Sequence, residues 1–376
     1  MGICLAAHLA AATELPKGEI IDSVTCAADA SQSYSLYIPS NYTPGTSATL
    51  LLAFDPRARG RTPVERYQQA AEAYGYIVAG SNNSRNGSWE VSIAAVRAML
   101  NDVGARFNIN QKRIYTAGMS GGARVAMQFA LASNGQFAGV IASSAGYPDS
   151  RPRKTLPFPV FGTAGTEDFN FLEMRRLDQA LKSPHHVAIF EGSHVWLSTE
   201  LATEAIEWME IHAMKSGLRQ RDSAIVEKIF AKRLAEAGAM QPGIAQTLAL
   251  ESITAQFDGL RDLTAITARI TTLRRSKEVK AEAKKEDAIL SKEETIMIDI
   301  AKNENRLADS VQRDEALRDL RSTLRSLHKQ SEAPKDSADR QLARRVLRGI
   351  SASSARTTKD AEYRALLQSV RPAQVF

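Results

Sequence analysis

Residues 113–124 read Arg-Ile-Tyr-Thr-Ala-Gly118-Met119-Ser120-Gly121-Gly122-Ala-Arg, a β-branched run that passes straight into Gly-x-Ser-x-Gly and then into a helical stretch. A strand, a sharp turn and a helix packed this closely leave no room for a Cβ at 118 or 122. The turn forces Ser120 into a strained backbone conformation with its Oγ exposed at the C-terminal edge of a sheet. The N–H of Gly121, at the first turn of the helix, points into the same space as an oxyanion donor. Met119 precedes the serine and is a candidate for the wall against which a substrate rests. Such a turn demands an α/β architecture, and Ser120 is its candidate nucleophile.

The surrounding sequence carries that architecture. From Glu19 to about Ser216, short apolar or β-branched runs alternate with amphipathic helical stretches, the pattern of a largely parallel sheet. Eight strands are expected: Glu19–Cys26, Tyr34–Ile38, Ala48–Phe54, Tyr76–Gly80, Arg113–Ala117, Gly139–Ser143, Val160–Thr163 and Val187–Phe190, the first two antiparallel. Pro39, Pro44, Pro56, Pro148, Pro157 and Pro159 fall at strand ends or in connections, where no ladder donor is lost. After Gly217 no further strand-like run occurs. Apolar residues from Ile244 to Leu273 recur at helical steps, Arg274–Arg306 is rich in Lys, Glu and Ala, and Leu317, Leu320, Leu324 and Leu327 form a short seam. The expected layout is an N-terminal extension (1–18), an α/β catalytic domain (19–217) and an all-helical C-terminal domain (218–376).

Several function classes fall away. The apolar run Ile3–Ala12 is half the roughly 20 residues that a bilayer span requires, so no transmembrane segment is expected. Cys4 and Cys26 are too few for a disulfide framework or a cysteine-rich metal site, and neither a metal nor an organic cofactor is expected. The net charge of +6 resides in the second part of the chain: residues 1–217 carry 18 Lys/Arg against 19 Asp/Glu, residues 218–376 carry 30 against 23. That excess is spread thinly, as on a solvated helical surface, and no nucleic-acid partner is expected. Residues 1–12 run from an apolar stretch into small residues like the end of a secretory signal, although no positive n-region precedes it. A secreted or periplasmic protein is expected on that ground, a cytoplasmic one otherwise.

A serine hydroxyl needs a base to remove its proton and a carboxylate to orient that base. Of the histidines that follow Ser120 in the α/β region, His185 and His186 open a strand at the wrong edge of the sheet and His212 lies inside the last helix. His194, in Glu191-Gly-Ser-His194-Val-Trp196, leaves the C-terminal edge and can reach Ser120. The carboxylate is expected in Gly165-Thr-Glu167-Asp168, on the same rim after strand Val160–Thr163; Asp168 is preferred and Glu167 competes. On the same edge, Asn82, Asn83 and Arg85 follow the fourth strand as candidate substrate contacts, with Trp196 beside the histidine. Arg57, Arg59 and Arg61 would make the mouth cationic, suited to an anionic or carboxylate-bearing substrate.

The order Ser120, Asp168, His194, together with the elbow, resembles the α/β-hydrolase family. The opening Tyr34-Ser-Leu36-Tyr37-Ile-Pro39 is similar to that of its poly(3-hydroxybutyrate) depolymerase and feruloyl esterase branch, over about residues 19–217. The resemblance implies a serine esterase that cleaves a small or polymeric carboxylic ester through an acyl-enzyme. A peptidase of prolyl-oligopeptidase type shares the triad order but normally carries a propeller ahead of it; an inactive hydrolase fold serving as a scaffold is the alternative from another class. One departure matters: where the branch carries His-Gly, this chain reads Phe54-Asp55-Pro56-Arg57. Pro56 has no N–H, so Asp55 or Arg57 is expected to supply the second oxyanion donor.

Overall fold

The computed structural model describes residues 15–149 and 153–372, so the signal-like stretch and Cys4 lie outside the described residues. The strands are β1 (Ile20–Cys26), β2 (Asp29–Tyr37), β3 (Ala48–Phe54), β4 (Tyr76–Ser81), β5 (Ile109–Met119), β6 (Gly139–Ser143), β7 (Val160–Gly165) and β8 (His185–Phe190). They form one eight-stranded sheet in the order β1-β2-β4-β3-β5-β6-β7-β8. The β1–β2 and β2–β4 pairs are antiparallel and every other pair is parallel.

Both faces of the sheet are covered, which is why its central strands read as unbroken apolar runs. In β3, Leu50, Leu52 and Phe54 join one core while Leu51 and Ala53 join the other. Helices α1 (Arg61–Tyr74) and α5 (Thr199–Lys215) cover the second face; α2 (Trp89–Arg106), α3 (Gly121–Ala132) and α4 (Phe171–Ala180) cover the first. All five β3 side chains just named are fully buried, and each contributes to the sheet in proportion to its apolar area, about 1.5–3 kcal/mol for a Leu or Phe.

Among the described residues seven helices follow: α6 (Ser223–Ala239), α7 (Ile244–Phe257), α8 (Thr264–Arg275), α9 (Lys277–Arg306), α10 (Arg313–Ser331), α11 (Ala338–Thr357) and α12 (Ala361–Ser369). The apolar stripe expected as one run from Ile244 to Leu273 is two helices, because Gly259 takes a left-handed φ of 75° and turns the chain. The leucine seam holds: Leu317, Leu320, Leu324 and Leu327 are buried against α11 and α12. Two apolar clusters hold the helices, one shared with Ile211 and Met214 of α5 and the other centred on α9 to α12. Leu290 of α9 reaches the core beneath the sheet itself.

The acids along α9 are engaged by its neighbours. Glu286 and Glu294 pair with Arg175 and Arg176 of α4, Glu293 with Arg345 of α11, and Glu282 accepts the Ile244 N–H at the start of α7. Its acids serve contacts between helices, not i,i+4 bonds within one.

Candidate active site

The C-terminal ends of β5, β7 and β8 bring Ser120, Asp168 and His194 to one rim. Ser120 is in the left-handed half of backbone space at φ 54°, ψ −123°, a conformation non-glycine residues adopt only when their surroundings impose it. What imposes it is close packing. A Cβ on Gly118 would collide with the Gly122 carbonyl, and one on Gly122 would collide with the Phe54 carbonyl of β3. The Ser120 N–H is held by the Ser143 carbonyl at 2.8 Å, which ties the turn to the end of β6.

His194 follows β8 in a loop that doubles back over β7. Its Nδ1 lies 2.8 Å from Asp168 Oδ1, and Asp168 is fully buried. The Phe169 ring stacks on the imidazole with centroids 3.9 Å apart. The two loops meet backbone to backbone, with the Thr166 N–H donating to the Phe190 carbonyl and the Glu167 N–H to the Gly192 carbonyl, both at 2.8 Å. Gly165 permits this approach, since a Cβ there would strike the carbonyls of Gly192 and Ser193. Glu167 is engaged elsewhere: Arg344 and Arg348 hold its carboxylate at 2.7 and 2.6 Å. Ser120 and His194 line the same cavity of about 1510 Å³. No hydrogen bond joins their side chains among the described residues; such contacts tighten when a reacting group is bound.

His185 and His186 are engaged away from the rim. His185 Nδ1 and Nε2 contact the carbonyls of Ser183 and Asp178, and His186 bonds Ser252 of α7 at 3.0 Å. Burial pushes the imidazoles of His186 and His212 down to about 4, so both are neutral near pH 7.

Several expected contacts need correction. Asn82 and Asn83 do not line the cavity: Asn82 bonds the Asp22 carbonyl and the Ser33 and Ser35 hydroxyls, while Asn83 receives the Ser33 N–H and donates to the Ser31 carbonyl. They fasten β4 to β2 because a side chain this short at a strand end finds the neighbouring backbone first. Arg61 is drawn off to Asp22 and Glu65. Asp55 is fully buried and is not on the cavity wall. Its carboxylate receives Arg59 Nε at 3.0 Å, the Arg57 N–H at 2.8 Å and Trp196 Nε1 at 2.8 Å. Burial alone would raise its pKa; the bonds from Arg59, Trp196 and Arg57 outweigh that and hold it below the ordinary carboxylate range. Of the two expected oxyanion donors, the Arg57 N–H is spent on the Asp55 carboxylate, and Asp55 is buried away from the cavity wall.

Met119, Arg85 and Trp196 do line the cavity, as do Arg57 and Arg59. Arg66, Arg124 and Asn86 join them unforeseen. Among the described residues the Arg57, Arg66 and Arg85 side chains make no hydrogen bond or ion pair, so the mouth is cationic with positive charge to spare. The Asn86 side-chain amide lies against Gly121, where a Cβ on the glycine would collide with it. No group of three or more His, Cys, Asp or Glu is placed to hold a metal ion, and no helix is long and apolar enough to cross a membrane, among the described residues.

No family model and no curated protein matches the chain. Among solved structures it is similar to S-formylglutathione hydrolase (FrmB) from Staphylococcus aureus, at 17% identity over 47% of this chain and 92% of that one with a TM-score of 0.38. It is similar also to Est1E from Butyrivibrio proteoclasticus (13% identity, 52% and 100% of the two chains, TM-score 0.41) and to Pyrobaculum calidifontis esterase (11%, 53% and 87%, TM-score 0.41). The chain's own sheet order, with two antiparallel strands leading into a parallel sheet and a strand–Ser–helix elbow after β5, is that of the α/β-hydrolase fold.

Proposed function

We propose that the protein is a serine hydrolase that cleaves a carboxylic ester through an acyl-enzyme. The observation that carries this reading is the pairing of a strained, cavity-facing Ser120 with His194, whose Nδ1 is 2.8 Å from a buried Asp168 carboxylate. With Nδ1–H donated to Asp168, Nε2 is left as the acceptor for the Ser120 proton. Ser120 Oγ attacks the carbonyl carbon, the imidazolium returns its proton to the leaving alcohol, and water repeats the sequence on the acyl-enzyme.

The Gly121 N–H, at the first turn of α3, faces the developing oxyanion. The second donor we assign to Asn86: a half-turn of its amide about the Cβ–Cγ bond presents Nδ2 beside Gly121. Removing one oxyanion donor costs about 10²–10³ in kcat in other hydrolases. Asn86→Ala is therefore expected to lower kcat by that order with KM little changed, as stopped turnover assays would read; an unchanged kcat removes Asn86 from the reaction.

Substrate class follows from the wall. Arg57, Arg66 and Arg85 favour an ester carrying a carboxylate or another anion. The test is a panel of p-nitrophenyl esters, neutral and anionic, of increasing acyl length, run beside Ser120→Ala. Anionic esters are expected to show the lower KM, a preference that weakens in high salt. Equal KM values for matched neutral and anionic esters would leave the arginines as solvated charges.

A further inference from the structure

The Asp168 carboxylate has few side-chain supports of its own. Its Oδ1 faces His194 and accepts the Asn170 N–H at 2.8 Å, whereas Oδ2 is buried with no partner among the described residues. The position of the carboxylate is thus fixed by the backbone of its loop, and beyond its bonds to the 190–192 loop it is held from outside the α/β core.

Helix α11 supplies that hold. Arg345 Nη1 donates to the Thr166 carbonyl at 2.6 Å, Arg348 Nη1 donates to the Glu167 carbonyl at 3.1 Å, and Arg344 and Arg348 share the Glu167 carboxylate. Arg344 and Arg345 are only 7% and 3% exposed, so these charges are committed to the contact and are not surface decoration. Arg345 is itself set by Glu293 of α9 and lies over the Phe171 ring, and Arg344 Nε bonds the Ser331 carbonyl of α10. One turn further along, α11 comes close enough that a Cβ on Gly349 would stand 3.4 Å from Phe169 Cβ, the ring stacked on His194.

We propose that Arg344, Arg345 and Arg348 of α11 are positioning residues that hold the 166–168 loop, and with it the Asp168 carboxylate, in register with His194. The proposal rests on the Ser120–His194–Asp168 reading given above. It makes the helical region part of the active site without any of its side chains touching the reacting atoms. A loop released from the three arginines still carries Asp168, but the carboxylate no longer sits where Nδ1–H points. A misplacement of about 1 Å at such a group costs on the order of 10²-fold.

The test uses the full chain and an activated ester, with Michaelis parameters measured across pH for Arg344→Met/Arg348→Met, Arg348→Lys and Glu167→Gln. In the double variant kcat is expected to fall about 10- to 100-fold, with KM within about twofold. The acid limb of kcat/KM should move to lower pH, because an imidazolium that has lost its carboxylate gives up its proton more readily. Arg348→Lys restores most of kcat. In an Asp168→Asn background the double substitution adds no further loss, since both changes remove the same support. A folded double variant with parent kcat and acid limb overturns the proposal, as does a loss that multiplies in full on top of Asp168→Asn. Should the double variant fail to fold, Glu167→Gln gives the same reading, and a parent-like pH profile there overturns it equally. Failure of the triad reading is separable: it appears as retained turnover in Ser120→Ala, whereas failure of the clamp leaves Ser120→Ala inactive and the arginine variants normal.

Discussion

Ser120→Ala is expected to lower turnover of an activated ester by about 10⁴-fold or more while leaving the circular dichroism spectrum and melting temperature within error of the parent. The size follows from what is removed. Without Oγ there is no nucleophile for His194 to deprotonate, and the residual rate is what the oxyanion donors and binding provide. Stability is expected to stay within about 0.5 kcal/mol, because alanine meets the same backbone strain at φ 54° and the Ser120 side chain makes no hydrogen bond to a described residue. Turnover retained in a folded Ser120→Ala protein would dismiss the elbow as the seat of the chemistry.

Asp168→Asn is the second large effect, with kcat expected to fall by about 10⁴ as for the analogous change in other triads. The shape is preserved and the charge is lost. An amide presents either an N–H₂ that turns His194 to the wrong tautomer, or an oxygen without the charge that stabilises the imidazolium. Glu167→Gln is expected to cost far less, about tenfold, because Glu167 acts only through Arg344 and Arg348. Steady-state kinetics on the two variants side by side decide it: if Glu167→Gln were the more damaging, the orienting carboxylate would be Glu167.

The sheet was readable in the sequence because its signals are local. Runs such as Ala48–Phe54 and Val160–Thr163 announce buried strands by composition alone, and the glycines at 118 and 122 announce a steric crossing confirmed by the carbonyls that fill their Cβ positions. His194 could be chosen over His185 and His186 because edge of sheet follows from strand order. What could not be read depends on partners distant in sequence. Asn82 and Asn83 look like rim ligands until the backbone of residues 22–33 is seen to claim them. Asp55 looks like a cavity residue until Arg59, Trp196 and Arg57 converge on its carboxylate and hold it buried. The break at Gly259 was hidden because an apolar period of three to five continues across it. Arg344, Arg345 and Arg348 were the least legible of all: an arginine-rich helix reads as a solvated face, and only its contact with residues 166–167 distinguishes it.

The bonds from α11 to the 166–167 loop join residues separated by 177 to 181 positions. A nascent chain emerging N-terminus first therefore completes its sheet and its Ser120 turn long before the arginines exist. About 150 residues separate His194 from Arg344, so at roughly 5–20 residues per second the interval is about 8–30 s. On the reading proposed above, the polypeptide on the ribosome carries Ser120, Asp168 and His194 during that interval yet lacks the brace that aligns them, so full turnover arrives with the synthesis of α11 and not with the closing of the sheet.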